Sequence, residues 1–279
     1  MMKNNLFSIQ DFKCGYDKKF HIHNISFDLP KGCFAGIIGP NGSGKTTLFR
    51  GISGELATLS GKISIEGNIL KKMGFKEKAR NIAVVSQSIE SVQISVEDYV
   101  LMGRIPYQSR FHFFDSQHDI EVAHKYMKLT GIFHHKDKIM DQMSGGEQQL
   151  AAIARALTQE PNLLLLDEPT SHLDITHQVQ VLNLIQRLNK NLGLTVLMNI
   201  HDLNLAGEYC DYLVLMKNGE IQVKGSPEEV IRYDILEEVY ETVVITRINP
   251  ISKKPVVFLV SEKVLNEKSF LNESLGEKT

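Results

Sequence analysis

Residues Gly39-Pro40-Asn41-Gly42-Ser43-Gly44-Lys45-Thr46 fill every position of the pattern G-x-x-x-x-G-K-[ST]. Such a loop works only between a buried strand and a helix, and the chain supplies both: an apolar run from Cys33 to Ile38 leads in, and Thr47-Leu48-Phe49-Arg50 leads out. The surrounding chain is thereby committed to a β, loop, α order. The glycines let the backbone bend until its N–H groups face one anion, and the helix adds the positive end of its dipole. A di- or triphosphate suits that site. Lys45 is placed to reach the β and γ phosphates, the Thr46 hydroxyl to ligate Mg²⁺ bridging the same oxygens, and Thr47 to add a second hydroxyl contact.

A second chemical signal lies downstream. Leu163-Leu164-Leu165-Leu166-Asp167-Glu168 sets two adjacent carboxylates at the end of a buried strand, where ionised acids are costly unless a cation meets them. Asp167 is suited to take Mg²⁺, and Glu168, one residue on, to polarise an attacking water. An apolar run ending in acids is weak by itself. Paired with a phosphate loop, it points to hydrolysis of a nucleoside triphosphate.

The rest of the chain supports an alternation of strands and helices. Residues 6–28 alternate apolar and polar, as two antiparallel strands broken near Gly15 and Asp17-Lys18-Lys19 would. Lys62 to Glu66 reads as a short strand, and Asn81 to Ser86 as a buried one ending at Gln87. Helical periodicity then replaces strand patterning through Val96, Tyr99 and Val100, through Ile120, Ala123 and Met127, and through Leu150, Ile153, Ala154 and Leu157. Strands return at Leu163 and at Leu194 to Ile200. Between them runs an amphipathic helix, Ile175 to Asn189, with Asp174 as N-cap and a stripe of Ile175, Val179, Leu182, Ile185 and Leu188. Lys217-Asn218-Gly219-Glu220 marks a hairpin. A short helical piece and two β-rich runs, Thr242 to Ile248 and Val256 to Val260, precede a polar tail expected to be mobile.

Composition removes several function classes. The 279 residues are 42% hydrophobic and carry 31 basic against 33 acidic side chains, so no overall field draws the chain to nucleic acid. Neither an N-terminal apolar region nor a run of about 18 consecutive apolar residues is present, and the chain is expected neither to be secreted nor to span a membrane. Cys14, Cys33 and Cys210 form no close pair, which argues against disulfides and structural zinc and for a reducing cytosol. His21-x-His23 and His134-His135 lack acidic or cysteine neighbours and read as solvated. Arg110-Phe111-His112-Phe113-Phe114 reads as core of the helical segment, or as surface for a membrane partner.

Met143-Ser144-Gly145-Gly146-Glu147-Gln148-Gln149, opening a helix, and Leu166-Asp167-Glu168-Pro169-Thr170-Ser171-His172-Leu173-Asp174 complete a set of motifs. Together with the phosphate loop the set resembles, over residues 5–225, the nucleotide-binding subunits of ATP-binding cassette transporters. The resemblance implies an α/β fold: a RecA-like P-loop NTPase core with an antiparallel β lobe (1–87 and 161–240) and an inserted helical subdomain (88–160). Residues 1–240 would form the ATPase domain, 241–263 a C-terminal β extension and 264–279 the tail. The cofactors implied are ATP and Mg²⁺.

By the same resemblance Ser144, Gly145 and Gly146 form the signature loop, which binds the γ phosphate of ATP held by a second copy of the chain. A hydroxyl and glycines at a helix N-terminus suit an anion. Glu147 stands where the family usually has Gln. Gln87 matches the glutamine that senses Mg²⁺ and water and relays closure to a transmembrane partner. His201 matches the histidine that hydrogen-bonds the γ phosphate and organises the water with Glu168. Asp174 matches the loop linking two ATP sites across a dimer, and Tyr16 the aromatic that stacks on adenine.

Val96-Glu97-Asp98-Tyr99-Val100-Leu101-Met102-Gly103-Arg104-Ile105-Pro106-Tyr107, the wording Thr170 to Asp174, and the β runs around Asn249-Pro250 are similar to importers of iron chelates, haem and cobalamin. The partners implied are a second copy, transmembrane permease subunits and, indirectly, a substrate-binding protein. The location implied is cytoplasmic, peripheral on the inner face of the cell membrane. An ATPase of a manganese or zinc importer, and a soluble cassette ATPase not coupled to transport, remain open alternatives.

Overall fold

The computed structural model describes residues 5–16, 20–87, 92–108, 116–171, 173–261 and 263. The run from Arg110 to Phe114, His172 and the expected mobile tail lie outside them.

The first third of the chain forms β1 (Asn5–Tyr16), β2 (Phe20–Pro30), β3 (Phe34–Ile38), α1 (Lys45–Ser53), β4 (Thr58–Ile65), β5 (Asn68–Ile69), α2 (Phe75–Asn81) and β6 (Ile82–Val85). Helices α3 (Val96–Leu101), α4 (Gln117–Thr130) and α5 (Gly145–Thr158) follow. Then come β7 (Leu163–Asp167), α6 (Ile175–Leu192), β8 (Thr195–Asn199), α7 (Leu203–Tyr209), β9 (Tyr212–Lys217) and β10 (Glu220–Gly225). The C-terminal part holds α8 (Pro227–Val230), α9 (Tyr233–Tyr240), β11 (Val244–Ile248) and β12 (Pro255–Leu259).

The central sheet has the order β10-β9-β3-β8-β7-β6, and all its pairings are parallel except β9 with β10. Parallel strands covered on both faces need near-continuous apolar residues, and the sequence provides them on β3, β7 and β8 apart from Asp167, Thr195 and Asn199 at strand ends. On β7, Leu163 and Leu165 join one apolar cluster while Leu164 and Leu166 join the other. On β3, Ala35 and Ile37 oppose Phe34 and Ile38 in the same way. One face packs on α1 and the antiparallel sheet β2-β1-β4-β5, through Leu48, Phe49, Phe7 and Phe12. The other face packs on α3 to α7. The helices between β6 and β7 have no core of their own, since Val96, Tyr99, Met127, Ile153 and Leu157 share a cluster with Phe34 and Leu166. Buried Arg104 ties this part together: Nε meets Asp119 Oδ1 at 2.8 Å, and Nη1 donates to Thr158 O at 2.7 Å and Glu160 Oε2 at 3.0 Å. Asn218 (φ 52°) and Gly219 (φ 83°) both adopt the positive φ that a two-residue hairpin requires.

Two sequence expectations need correction, and one element went unread. The strand expected at Lys62 to Glu66 begins at Thr58, because pairing with β1 extends past its apolar half. Helix α2 had no counterpart in the reading, since none of its residues is buried and no apolar stripe announces it. The stripe of α6 is buried only in its later turns: Leu182, Ile185 and Leu188 are covered, but Ile175 is 79% exposed and Val179 37%. Periodicity identifies a face without saying how far along the helix a neighbour reaches.

Candidate functional site

The loop from Gly39 to Gly44 bridges β3 and α1, and its shape is imposed by close neighbours. Gly39 has φ 147° and Gly44 φ 103°; a Cβ would come within 2.2 Å of Met216 O at the first and 2.6 Å of Ile22 Cγ2 at the second. Gly219 N–H donates to Ser43 O at 2.9 Å, so the β9–β10 hairpin braces the loop from outside. Lys45 lies 5% exposed at its centre, with Nζ donating to Gly39 O (2.8 Å) and Pro40 O (3.1 Å). Burial pulls its pKa below the ordinary lysine value, against the opposing charges of Glu168 and Asp167.

The acid pair stands at the end of β7. Burial raises the Asp167 pKa, aided by the charge of Glu168; the Asn199 side chain opposes this by donating from Nδ2 to Oδ1 at 2.6 Å. Glu168 occupies the left-handed region at φ 51°, a strained place for a non-glycine residue and one often found at functional positions. That turn aims its carboxylate at three partners: Gln87 Nε2 donates to Oε2 at 2.9 Å, His201 Nε2 meets Oε1 at 2.5 Å, and Asn199 Nδ2 donates to Oε1 at 3.5 Å. Its own N–H is held by Asn199 O at 3.2 Å.

Phe20, residues 41–47, Glu168 and His201 line one cavity of about 320 Å³. Phosphate-loop residues, Glu168 and His201 thus meet in one place, with Gln87 and Asp167 attached through hydrogen bonds. A larger groove, about 500 Å³ between β4, α1 and α2, has no acidic residue in its lining and offers no hydrolytic chemistry. Tyr16 is 39% exposed, and its hydroxyl accepts from Arg50 Nη1 at 2.8 Å; it does not line the smaller cavity, whereas Phe20 does. Ser144, Gly145, Gly146 and Asp174 do not line it either. They gather elsewhere: Ser144 caps α5 and Asp174 caps α6, with His177 hydrogen-bonded to Asp174 and lying where a Cβ on Gly146 would meet it at 2.8 Å.

The cavity accommodates a phosphate and a hard cation. Ser43 Oγ is buried with no hydrogen-bond partner among the described residues, as a hydroxyl built to meet a ligand oxygen would be. Thr46, Asp167 and Gln87 offer a hydroxyl, a carboxylate and an amide, the oxygen donors Mg²⁺ prefers. Among the described residues no group of three or more His, Cys, Asp or Glu could hold a metal.

Three contributors escaped the sequence reading. Asn199 is fully buried beneath both acids, and its place in an apolar strand is the one available signal. Tyr240, on α9, is hydrogen-bonded to the backbone of Gly39, and burial pushes its pKa to about 12. His135, read as solvated, has a side chain only 12% exposed and pairs with Glu147 at 2.8 Å. Adjacent histidines looked partnerless because the acid arrives from another element.

Comparison with known proteins places these features in company. The family model for "ABC transporter" matches residues 22–171. An uncharacterised ABC transporter ATP-binding protein of Bacillus subtilis, YvrA, is 38% identical over 89% of this chain, which spans 57% of that protein's length. The iron(3+)-hydroxamate import ATP-binding protein FhuC of Bacillus subtilis is 34% identical over 96% of this chain and 99% of its own. Among solved structures, a metal-chelate type ABC transporter in an inward-facing conformation superposes with a TM-score of 0.82 at 26% identity, covering 94% of this chain and 99% of that one.

Proposed function

The chain belongs to the ABC transporter family, and from that membership we propose that it is the ATP-hydrolysing subunit of an iron-chelate importer, working as a pair with a second copy on separate permease subunits. One observation carries the pairing. Ser144 and Gly145 are exposed at the start of α5, yet neither lines the cavity that contains the phosphate loop. A signature loop unable to serve its own chain's site is suited to serve a neighbour's. The exposed Ile175, beside Asp174, adds apolar surface at the same face. The iron-chelate assignment rests on likeness to an iron(3+)-hydroxamate import subunit and to a metal-chelate type transporter.

Within this reading the loop N–H groups and Lys45 hold the triphosphate, and Phe20 and Tyr16 flank the nucleotide. Glu168 takes the proton of the attacking water while Gln87 and His201 fix its two oxygens in place. Thr46, Asp167 and Gln87 would hold Mg²⁺, which supplies charge neutralisation at the β and γ oxygens. No helix among the described residues is long and apolar enough to cross a membrane. The permease would therefore supply the attachment to the inner face, with residues 1–240 as the ATPase unit and 241–263 as an extension.

ATP is expected to drive a two-fold dimer, and Ser144→Arg to abolish it through bulk and misplaced charge. Sedimentation with ATP and with ADP reads this directly. A Ser144→Arg chain that still pairs would overturn the shared site. For the transported species, co-expression with the permease and binding protein should give radio-iron uptake from a ferric hydroxamate, and none with Glu168→Gln. Uptake of manganese or zinc in place of the chelate would favour the metal-ion alternative.

A third expectation concerns Asn199. Asn199→Val removes the donor to Asp167, and the long contact to Glu168 Oε1 at 3.5 Å, together with a buried Oδ1 that has no partner among the described residues. The buried Asp167 oxygen is left without its donor, so stability should fall by about 1–3 kcal/mol, while the Mg²⁺ concentration needed for half-maximal turnover rises several-fold. A Mg²⁺ titration of ATPase rate beside a melting curve checks both, and an unchanged Mg²⁺ requirement would remove Asn199 from the site.

A further inference from the structure

The start of α5 contains more than a helix cap. Ser144 Oγ accepts from Glu147 N–H at 3.4 Å, and in return Glu147 Oε2 accepts from both Ser144 N–H (2.8 Å) and Ser144 Oγ–H (2.7 Å). The reciprocal pattern is a capping box. The other carboxylate oxygen is also engaged, since Oε1 lies 2.8 Å from His135 Nε2. His135 comes from the turn Phe133–His135 after α4, where its N–H donates to Ile132 O at 2.9 Å and its O accepts from Lys138 N–H at 2.9 Å. The His134 ring packs against it at 3.8 Å, and Ile132 beneath is 1% exposed. His135 is therefore anchored, and its Nδ1 is buried without a partner among the described residues. An extra N–H at Nδ1 would be orphaned there, so the tautomer that fits carries its proton on Nε2 and donates it to Glu147.

This arrangement accounts for a glutamate where the family usually has glutamine. A carboxylate accepts at both ends, whereas a glutamine amide would turn its NH₂ either to Ser144 N–H or to His135 Nε2–H, donor against donor. Glu147 and His135 suit each other, and a glutamine at 147 would not suit His135. The Ser144 hydrogen bonds lower the Glu147 pKa against the effect of burial, with the charge of Lys138 adding to them, so the group stays ionised.

We propose that His135 is a positioning residue for the signature loop: by holding the far oxygen of Glu147 it keeps the carboxylate in the capping rotamer, and so sets where Ser144 and the N–H groups of Gly145 and Gly146 meet the partner chain's ATP. The proposal rests on the shared-site reading above. Without His135, Glu147 is free to swing toward Lys138, and the Ser144 hydroxyl and N–H lose a fixed acceptor. The loop then has to be ordered at the moment of pairing, which weakens association without touching the phosphate loop of the same chain.

The test compares His135→Leu, His135→Gln, Glu147→Gln and the double variant His135→Leu/Glu147→Gln. Each is assayed for ADP affinity as a monomer, for ATP-driven dimerisation in a Glu168→Gln background, and for turnover with Glu168 intact. His135→Leu and Glu147→Gln singly should each weaken dimerisation and turnover about five- to tenfold, the scale of one lost cap or hydrogen bond. ADP affinity should stay within about twofold in both. His135→Gln, which keeps a donor at similar reach, should restore pairing, and the double variant should recover most of the loss because a glutamine cap needs no partner at its far end. If His135→Leu does not fold, His135→Asn, too short to reach Glu147, replaces it with the same expected loss. Wild-type pairing in His135→Leu, no recovery in the double variant, or a parallel fall in ADP affinity would each overturn the proposal. Ser144→Arg runs beside them: if it pairs normally the shared site itself fails, whereas if it blocks pairing and His135→Leu does not, only this inference is lost.

Discussion

Glu168→Gln is expected to bind ATP, to trap it between two chains and to turn over at least about a hundredfold more slowly than the parent, the low end of what a positioned base contributes. The geometry explains why binding survives. The Glu168 oxygens make no hydrogen bond to the phosphate loop among the described residues; they are engaged by Gln87 Nε2 at 2.9 Å, His201 Nε2 at 2.5 Å and, more distantly, Asn199 Nδ2 at 3.5 Å. A glutamine keeps one oxygen for Gln87 and turns its NH₂ to His201, which can accept by moving its own proton to Nδ1. The network and the φ 51° turn therefore persist while the basic oxygen is lost. Gel filtration should show a dimer with ATP and Mg²⁺ and a monomer with ADP, beside a phosphate-release assay close to background. Turnover within threefold of the parent would mean that Glu168 is not the base, and that His201 or Gln87 carries more of the chemistry.

Lys45→Ala should fail earlier, at binding. The Nζ that bridges Gly39 O and Pro40 O is the one ammonium inside the loop, 5% exposed and pulled below its ordinary pKa by burial despite the neighbouring acids. A buried cation held against that penalty is poised for a stronger anion than two carbonyls. Its removal should weaken ATP binding about tenfold or more, as expected for loss of a charge-assisted contact. Turnover should fall by about 10² to 10³, the effect of deleting one preorganised donor. Lys45→Met, which keeps the stem and fills most of the space, separates charge from packing: equal losses in the two variants assign the effect to the ammonium. Calorimetry and steady-state rates measure both, and normal rates in either variant would remove Lys45 from the site.

What could be read in advance depended on how far apart in the chain the cause and its consequence lie. The phosphate loop, the acids after four leucines and the Asn218-Gly219 hairpin are local: a few adjacent residues fix the backbone, and the structure contains them where the residues stand. Largely apolar runs at β3, β7 and β8 also announced a parallel sheet covered on both faces, because burial on two sides leaves little room for polar residues, which here fall at strand ends, at Asp167, Thr195 and Asn199. The exposed helix α2 and the uncovered first turn of α6 were not legible, since periodicity reports a face and not the neighbour that covers it.

At the site the division is the same. The types and order of Lys45, Glu168 and His201 were set by the residues alone. Their convergence on one cavity came from strand order, which lays β3, β8 and β7 side by side and brings together the loops that follow them. Asn199 beneath the acids and His135 against Glu147 became visible only in three dimensions. Each owes its effect to a partner 32 or 12 positions away, as 199 − 167 and 147 − 135 give. A hydrogen bond between elements depends on where packing delivers both ends, and packing is decided by the whole chain at once.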